Sequence, residues 1–162
     1  MLFLLVRLGD ERYVLDALQV VEVLPVVNWK TVPQSAPGIL GVVNYRGQIV
    51  PLLDLAEFIA GTPSQLKMST RIVLIHYSEE RTAQGNASEE LSPAPLLGLV
   101  AEGATHTFRA ALEDFTETGI DTANYLGPVF KDGEGIIQFI DVSKLLTSEV
   151  KKQLVGLSSP DH

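Results

Sequence analysis

The sequence predicts an all-β protein made of two small β-barrel subdomains related by internal duplication. One observation is that short runs rich in β-branched residues alternate with glycine, proline and polar residues along most of the chain, as is typical of small barrels. A second is that residues 41–54, GVVNYRGQIVPLLD, are echoed by residues 127–141, GPVFKDGEGIIQFID. Each unit predicts a hairpin with a glycine at its turn, followed by an aspartate that caps a short helix.

The N-terminal third is predicted to contain two strands, a helical turn and a third strand. Residues 2–8 and 12–15 are β-rich and flank the polar turn residues Gly9 and Asp10, which indicates a hairpin. Asp16 can accept amide hydrogens and open a helical turn, which leads into a strand of valine and leucine that Pro25 ends.

The first glycine hairpin follows a proline-rich loop at residues 25–38, where each proline removes a backbone donor. Its strands are predicted at residues 41–45 and 48–55, with Arg46 and Gly47 at the turn, because glycine tolerates the positive φ of tight turns. A short helix at residues 55–60 should then begin after the capping Asp54 and end at Gly61.

The second half repeats this order after a linker and a long polar stretch. The predicted elements are a linker at 62–69, a strand at 71–77, a surface loop at 78–95, a strand at 96–101 continued at 105–109 beyond a kink at Gly103, a hairpin with strands at 129–130 and 135–140, and a short helix capped by Asp141. The sequence therefore predicts a single domain over residues 1–147. Its first barrel covers about residues 10–68. Its second barrel covers residues 70–147, and the strand at 2–8 could complete this second barrel. Residues 148–162 form a tail.

The composition argues against several classes of function. The 162 residues include 20 acidic and 12 basic side chains, a net charge of −8, which repels nucleic acid and anionic lipid. The chain has no cysteine, so disulfides, thiolate metal sites and a thiol nucleophile are ruled out. The apolar run between Met1 and Arg7 is too short for a signal peptide or a membrane span, so a cytoplasmic protein without direct membrane insertion is expected.

Catalytic and cofactor motifs are weak in this sequence. There is no nucleophile elbow, no phosphate-binding glycine loop and no histidine pair with metal-ligand spacing, so no catalytic residue, cofactor or metal site is predicted. The segment Gly119–Ala123 resembles the Asp-Thr-Gly loop of dimeric aspartic proteases, in which two carboxylates share a proton. An alternative function is therefore a hydrolase in which Asp121 is the catalytic carboxylate, although Ala123 replaces the glycine of the motif.

Two charged residues are candidates for a partner surface. Glu22 lies among valines on an extended segment and Arg46 lies at a turn between apolar strands. Either residue fits a solvated surface, but such mixtures also occur at protein interfaces, where arginine is favoured for its planar donors. Asp54 and Asp141 occupy matching places in the two repeats, and helix capping explains both more simply than an acid–base pair.

These residues together resemble the CheW-like coupling proteins of bacterial chemotaxis-type signalling, over about residues 2–146. The resemblance depends on three stretches, which are Phe3–Tyr13, then Asp16 with the Val-Val-Glu-Val run at 20–23, and the string Gly41–Leu55. It implies two SH3-like five-stranded barrels with an apolar groove between them and no catalytic activity. It further implies an adaptor that joins the cytoplasmic tips of methyl-accepting chemoreceptors to the regulatory domain of a CheA-type histidine kinase, recruited to membrane-associated receptor arrays.

The resemblance also implies a receptor-binding groove, with kinase contacts at the barrel ends. The groove residues are those that match the family pattern here: Val20, Glu22, Gly41, Val42, Asn44 and Arg46. The chain departs from the pattern at Ala56, in the polar insertion at 78–95 and in the turn at 101–105. The segments Asn-Tyr-Arg-Gly at 44–47 and Val-Val-Glu-Val-Leu-Pro at 20–25 are more similar to adaptors of alternative, surface-sensing pathways than to those of the flagellar type. A generic SH3-like peptide-binding module is the third alternative.

Overall fold

The protein is all-β, as predicted. The computed structural model describes residues 1–33, 37–76 and 95–145. Its strands are β1 (Leu2–Leu8), β2 (Glu11–Asp16), β3 (Val20–Pro25), β4 (Ile39–Tyr45), β5 (Gln48–Asp54), β6 (Arg71–His76), β7 (Leu96–Arg109), β8 (Leu126–Asp132) and β9 (Gly135–Ile140). The helix α1 spans Leu55–Ala60, and short 3₁₀ helices lie at Ala17–Gln19, Leu112–Asp114 and Val142–Lys144. Residues 78–94 of the loop predicted at 78–95 and the whole tail predicted at 148–162 lie outside the described residues.

Five strands form the first barrel in the order β3-β6-β7-β5-β4. Its neighbours are antiparallel, except that β5 runs parallel to the first half of β7 through residues such as Leu53 and Leu99. Lys30 pairs with Val42 on the outer edge of β4, and this bridge covers an edge that would otherwise expose backbone donors.

The second barrel repeats this arrangement in the order β7-β1-β2-β9-β8. The second half of β7 pairs with β1, and β2 runs parallel to β9 as β7 does to β5. Thr116 bridges Val129 on the edge of β8 as Lys30 bridges Val42 on β4. The duplication predicted from the two hairpins therefore extends to all five strands of each barrel.

Strand pairing divides the chain differently from the predicted barrel boundaries at residues 10–68 and 70–147. β2 pairs with β1 and β9, so it lies in the second barrel, whereas β6 pairs with β3 and β7, so it lies in the first. β7 is continuous over 14 residues and serves both barrels. Gly103, with φ of 64°, lies within it, close to a register shift in its pairing with β1. These pairings join distant segments, so local sequence patterns could not assign the strands.

The buried apolar side chains of the described residues form three clusters, one inside each barrel and one shared by both. The first barrel is filled by residues such as Leu52, Ile72 and Leu74. The second is filled around the fully buried Phe3, whose ring contacts those of three other phenylalanines. The largest cluster includes the opposite faces of the same strands, among them Val73 and Leu99, and it forms the core that the barrels share. Such a shared core makes the barrels one folding unit.

Both capping aspartates have the predicted role. Asp54 accepts hydrogen bonds from the amides of Ala56 and Glu57, and α1 ends at Gly61 with φ of 78°. Asp141 accepts from the amide of Ser143, but the helix that follows is a single 3₁₀ turn. No helix in the described ranges has the length and apolar character needed to cross a bilayer.

Candidate protein-interaction site

The tip of the β4–β5 hairpin is a two-residue turn formed by Arg46 and Gly47, between the paired residues Tyr45 and Gln48. Arg46 has φ of 51° and Gly47 has φ of 82°, the left-handed conformations of the turn that suits twisted hairpins. Asn44 fixes the turn because its Oδ1 accepts a 2.9 Å hydrogen bond from the Gly47 amide. Arg46 is the single non-glycine residue with positive φ in the part of the chain that the structure describes.

The hairpin tip contacts Glu22 on β3. Glu22 Oε1 accepts a 2.8 Å hydrogen bond from the Tyr45 hydroxyl and a 3.3 Å hydrogen bond from Arg46 Nη2. The guanidinium carbon of Arg46 also lies 5.1 Å from the centre of the Tyr45 ring, within the range of a cation–π contact. We call Glu22, Tyr45 and Arg46 the tip cluster.

Tyr45 is the central member of the tip cluster. Its hydrogen bond to the Glu22 carboxylate raises the pKa of the phenol, and partial desolvation adds to the shift. The phenol therefore stays protonated and continues to donate to Glu22 at physiological pH. This contact fixes one carboxylate oxygen of Glu22 beside Arg46.

The charges of the tip cluster remain accessible to a partner. The Arg46 side chain is 75% exposed and that of Glu22 is 36% exposed, so water and salt screen their attraction and the pair stabilises the fold by at most about 1 kcal/mol. A partner can therefore replace or add to this contact at little cost to the fold.

Exposed apolar side chains alternate with residues of the tip cluster along the same strands or lie in the same hairpin. Val21 and Val23, on either side of Glu22 in β3, are 44% and 36% exposed. Ile49 on β5 is 44% exposed and lies directly opposite Asn44 in the hairpin. Exposed apolar positions on the strands that also carry an accessible ion pair give this part of the protein the mixed apolar and charged surface of a protein interface.

The structure gathers some of the predicted site residues and separates others. Glu22 and Arg46 are in direct contact, and Asn44 shapes the same turn. Val42 forms two backbone hydrogen bonds with Lys30, and a Cβ at Gly41 would lie 1.9 Å from the Lys30 carbonyl oxygen. Val20 packs against the shared core. Thus Gly41, Val42 and Val20 have structural roles of their own.

The groove residues predicted from the resemblance did not include Tyr45 or the exposed apolar residues. Tyr45 lies at the tip of the first predicted hairpin, but it is 23 residues from Glu22 in sequence, so no local signal indicates their contact. The exposed valines could have been found from strand alternation, since Val21 and Val23 must face away from Glu22. Ile49 could have been found from the hairpin register, which sets it opposite Asn44.

The structure lends no support to the hydrolase alternative. Asp121 is exposed and lies in an irregular segment between the Leu112–Asp114 turn and β8, unlike the paired carboxylates of an aspartic protease. Among the described residues no group of three or more His, Asp or Glu side chains could hold a metal ion.

The two-barrel scaffold with an accessible charged tip defines a protein-interaction domain. The model of the CheW-like domain matches residues 2–150, and the chain therefore belongs to the CheW-like family. This confirms the resemblance read from the sequence. As a member, the chain is a non-enzymatic adaptor of chemotaxis signalling, and the alternative function at Asp121 is set aside.

Individual relatives agree with this assignment. The chemotaxis protein CheW of Klebsiella aerogenes is 26% identical over 151 residues, covering 91% of this chain and 82% of that protein. Protein FrzA of Myxococcus xanthus is 31% identical over 70 residues, which is 43% of this chain and 44% of that one. The crystal structure of the scaffolding protein TtCheW from Thermoanaerobacter tengcongensis superposes with a TM-score of 0.72 at 22% identity, covering 92% of this chain and 89% of that one. The last likeness supports the two-barrel fold.

Proposed function

We propose that the protein couples the cytoplasmic tips of chemoreceptors to the regulatory domain of a CheA-type histidine kinase, with the tip cluster as part of the receptor-binding surface. The observation that supports this proposal is the contact of Glu22 with both Tyr45 and Arg46, on a strand that also exposes Val21 and Val23. Coupling of this kind needs surfaces whose affinity differs between signalling states, and it needs no catalytic group.

A receptor helix fits this surface by its chemistry. Its apolar face would cover Val21, Val23 and Ile49, which are exposed in the free protein, in the manner of helix-in-groove recognition. Arg46 has five N–H donors in a fixed plane, and its high exposure leaves most of them available to acceptors on the helix. Glu22 would accept from a basic residue at the rim, so the pair sets the register of the helix.

The remaining groove residues are part of the same proposal in different roles. Asn44 fixes the hairpin turn, while Gly41 and Val42 hold the Lys30 segment against β4. Val20 connects the surface to the core shared by the barrels. The kinase would bind at the barrel ends, which leaves the hairpin free for the receptor. In the cell the protein would be cytoplasmic and recruited to receptor arrays at the membrane.

Binding to the two partners tests this function. The full chain, immobilised, should retain both a receptor cytoplasmic tip fragment and a kinase regulatory domain, and it should retain them together. Loss of both interactions would refute the coupling role. Retention of unrelated proline-rich peptides in place of both partners would instead identify a generic SH3-like peptide-binding module.

A further inference from the structure

The second barrel contains a cavity of about 420 Å³ that lies between β7 and β8. Its apolar walls belong to the interior of this barrel and are formed by Leu5, Phe108, Phe130 and Ile137. The polar side chains of His106 and Thr107, on β7, also line it. β7 and β8 are not hydrogen-bonded to each other in the described sheet, so the barrel wall is open here. A volume above about 300 Å³ with mostly apolar walls is typical of sites for small molecules. We call it the β7–β8 cavity.

Charged groups are concentrated at one side of this cavity. Arg12 forms a two-pronged ion pair with Asp132, with N–O distances of 2.7 and 2.9 Å, and the Arg12 side chain is only 8% exposed. Glu134 Oε2 lies 3.5 Å from the same guanidinium and its side chain is 76% exposed. The rim thus has two carboxylates for one guanidinium, an excess of one negative charge.

The Arg12–Asp132 ion pair stays ionised in the physiological range. The hydrogen bonds from Arg12 hold the pKa of Asp132 well below its usual range, and the Glu134 amide donates to the same carboxylate. Arg12 is fully engaged by the two carboxylates, since each terminal nitrogen donates to a different oxygen of Asp132 and Nη1 also donates to Glu134 Oε2. Arg12 therefore has little capacity to attract an anion into the cavity.

The aromatic walls of the cavity also favour a positively charged ligand. The rings of Phe108 and Phe130 have centroids 6.0 Å apart and are inclined at 38°, and the faces of aromatic rings carry negative potential that attracts organic cations. An apolar body would be buried against Leu5 and Ile137, while a positively charged head would lie near Glu134.

We propose that the β7–β8 cavity binds a small organic cation with an aromatic or branched apolar body and an ammonium or amidinium head. The head would contact the carboxylate of Glu134 at the rim, and the body would pack against Phe108 and Phe130. The site lies in the second barrel, whereas the tip cluster lies in the first. The proposal therefore does not rest on receptor binding at the tip cluster.

Nuclear magnetic resonance titration of the full chain at pH 8 would test this site with three matched probes. Benzamidine is the cation, benzyl alcohol the neutral control and benzoate the anionic control. We expect saturable shifts of the Phe108, Phe130 and Ile137 amides with benzamidine and a dissociation constant of about 1 mM or lower. Benzyl alcohol should bind at least about 5-fold more weakly and benzoate should not bind, since the rim repels it.

Variants separate the cavity from non-specific attraction to an acidic protein. Glu134→Gln removes the surplus charge at an exposed position and should weaken benzamidine binding by about 3- to 10-fold. Glu57→Gln removes the same charge on α1 and should leave the affinity unchanged. Three results would each overturn the proposal: equal binding of benzyl alcohol or benzoate, shifts outside the second barrel, or equal effects of the two variants. Absence of benzamidine shifts at 10-fold above the expected dissociation constant would do so as well.

Discussion

The Tyr45 hydroxyl donates a 2.8 Å hydrogen bond to the Glu22 carboxylate, and so joins the β4–β5 hairpin to β3. β3 and β4 are not paired in the sheet, so this side-chain contact is a direct link between the hairpin tip and β3. Through the same oxygen, Glu22 also accepts from Arg46. The orientation of the exposed arginine is therefore coupled to a tyrosine that is not among the groove residues predicted from the resemblance.

Ionisation of Tyr45 gives the first prediction. Because the folded-state pKa of this phenol is raised by its bond to Glu22, the bond stabilises the folded protein below the unfolded value of about 10 and is lost as pH rises above it. Ultraviolet titration of phenolate should show a late-titrating phenol that Glu22→Gln shifts to lower pH. Tyr45→Phe identifies it, since burial also raises the pKa of Tyr13 and Tyr125. An unchanged curve in Glu22→Gln would contradict the contact.

Receptor binding gives the second prediction. Arg46→Ala should weaken binding to a receptor tip fragment by about 1–3 kcal/mol, as expected for an arginine at an interface. Its thermal midpoint should barely change because the side chain is 75% exposed. Arg109→Ala removes the same charge from an exposed position at the end of β7 and serves as the matched control in calorimetric titrations. Equal affinity of the two variants would show that Arg46 is not a contact residue.

Local elements of this fold were predictable and long-range ones were not. Turns and helix caps depend on residues a few positions apart, so the hairpin at Arg46 and the cap at Asp54 could be predicted from short motifs. The distribution of β2 and β6 between the barrels depends on pairings across the whole chain. Likewise Arg12 and Asp132 are 120 positions apart, and no pattern within either segment indicates that they meet.

The repeat itself was predicted more accurately than its register. The two segments 41–54 and 127–141 align so that Gly47 and Gly133 each stand six residues after the first glycine of the segment. In the structure Gly47 is the second residue of its turn, whereas Gly133 is the first of its own, between the paired residues Asp132 and Gly135. The one-residue offset explains why the spacing after the glycine differs between the repeats. It also sets Asp132 opposite Arg12, which gives the second barrel a different ion pair at its tip.

The two capping aspartates give the third prediction, because they differ in burial. Asp54 is 3% exposed and accepts four hydrogen bonds, two from α1 amides and two from Ser64. Asp54→Ala should therefore lower the free energy of unfolding by about 2–4 kcal/mol. Asp141→Ala, with contacts to Ser143 and Lys144 near a single turn, should cost about 0.5–2 kcal/mol. Urea denaturation would measure both, and equal losses would refute the distinction.

Acid stability gives the fourth prediction. The pKa of Asp132 is depressed by Arg12, so its carboxylate stabilises the folded state above the unfolded pKa of about 4, and this stability is lost as pH falls below that value. Asp132→Asn should lower the thermal midpoint at pH 7. The difference from the unaltered protein should shrink steadily between about pH 4 and pH 2.

The control for this acid effect is Asp10→Asn, which removes a carboxylate at the exposed β1–β2 turn. It should leave the thermal midpoint at pH 7 nearly unchanged, since exposed charges far from ion-pair networks contribute little. A difference between Asp132→Asn and the unaltered protein that stays constant down to pH 2 would show that the ion pair with Arg12 is not the cause.

Gly41 gives the fifth prediction, because the close approach of two backbones requires a glycine there. Gly41 has φ of 150°, and a Cβ would lie 1.9 Å from the Lys30 carbonyl oxygen. Gly41→Ala should therefore displace Lys30 from Val42 and destabilise the fold by about 3 kcal/mol. Gly47→Ala, with φ of 82° and no atom within 4 Å of the added Cβ, should cost only about 1–2 kcal/mol. Denaturation measures both costs, and amide exchange should increase at Val42 in Gly41→Ala alone. Equal stability losses with a protected Val42 amide would mean that Gly41 is not needed for this bridge.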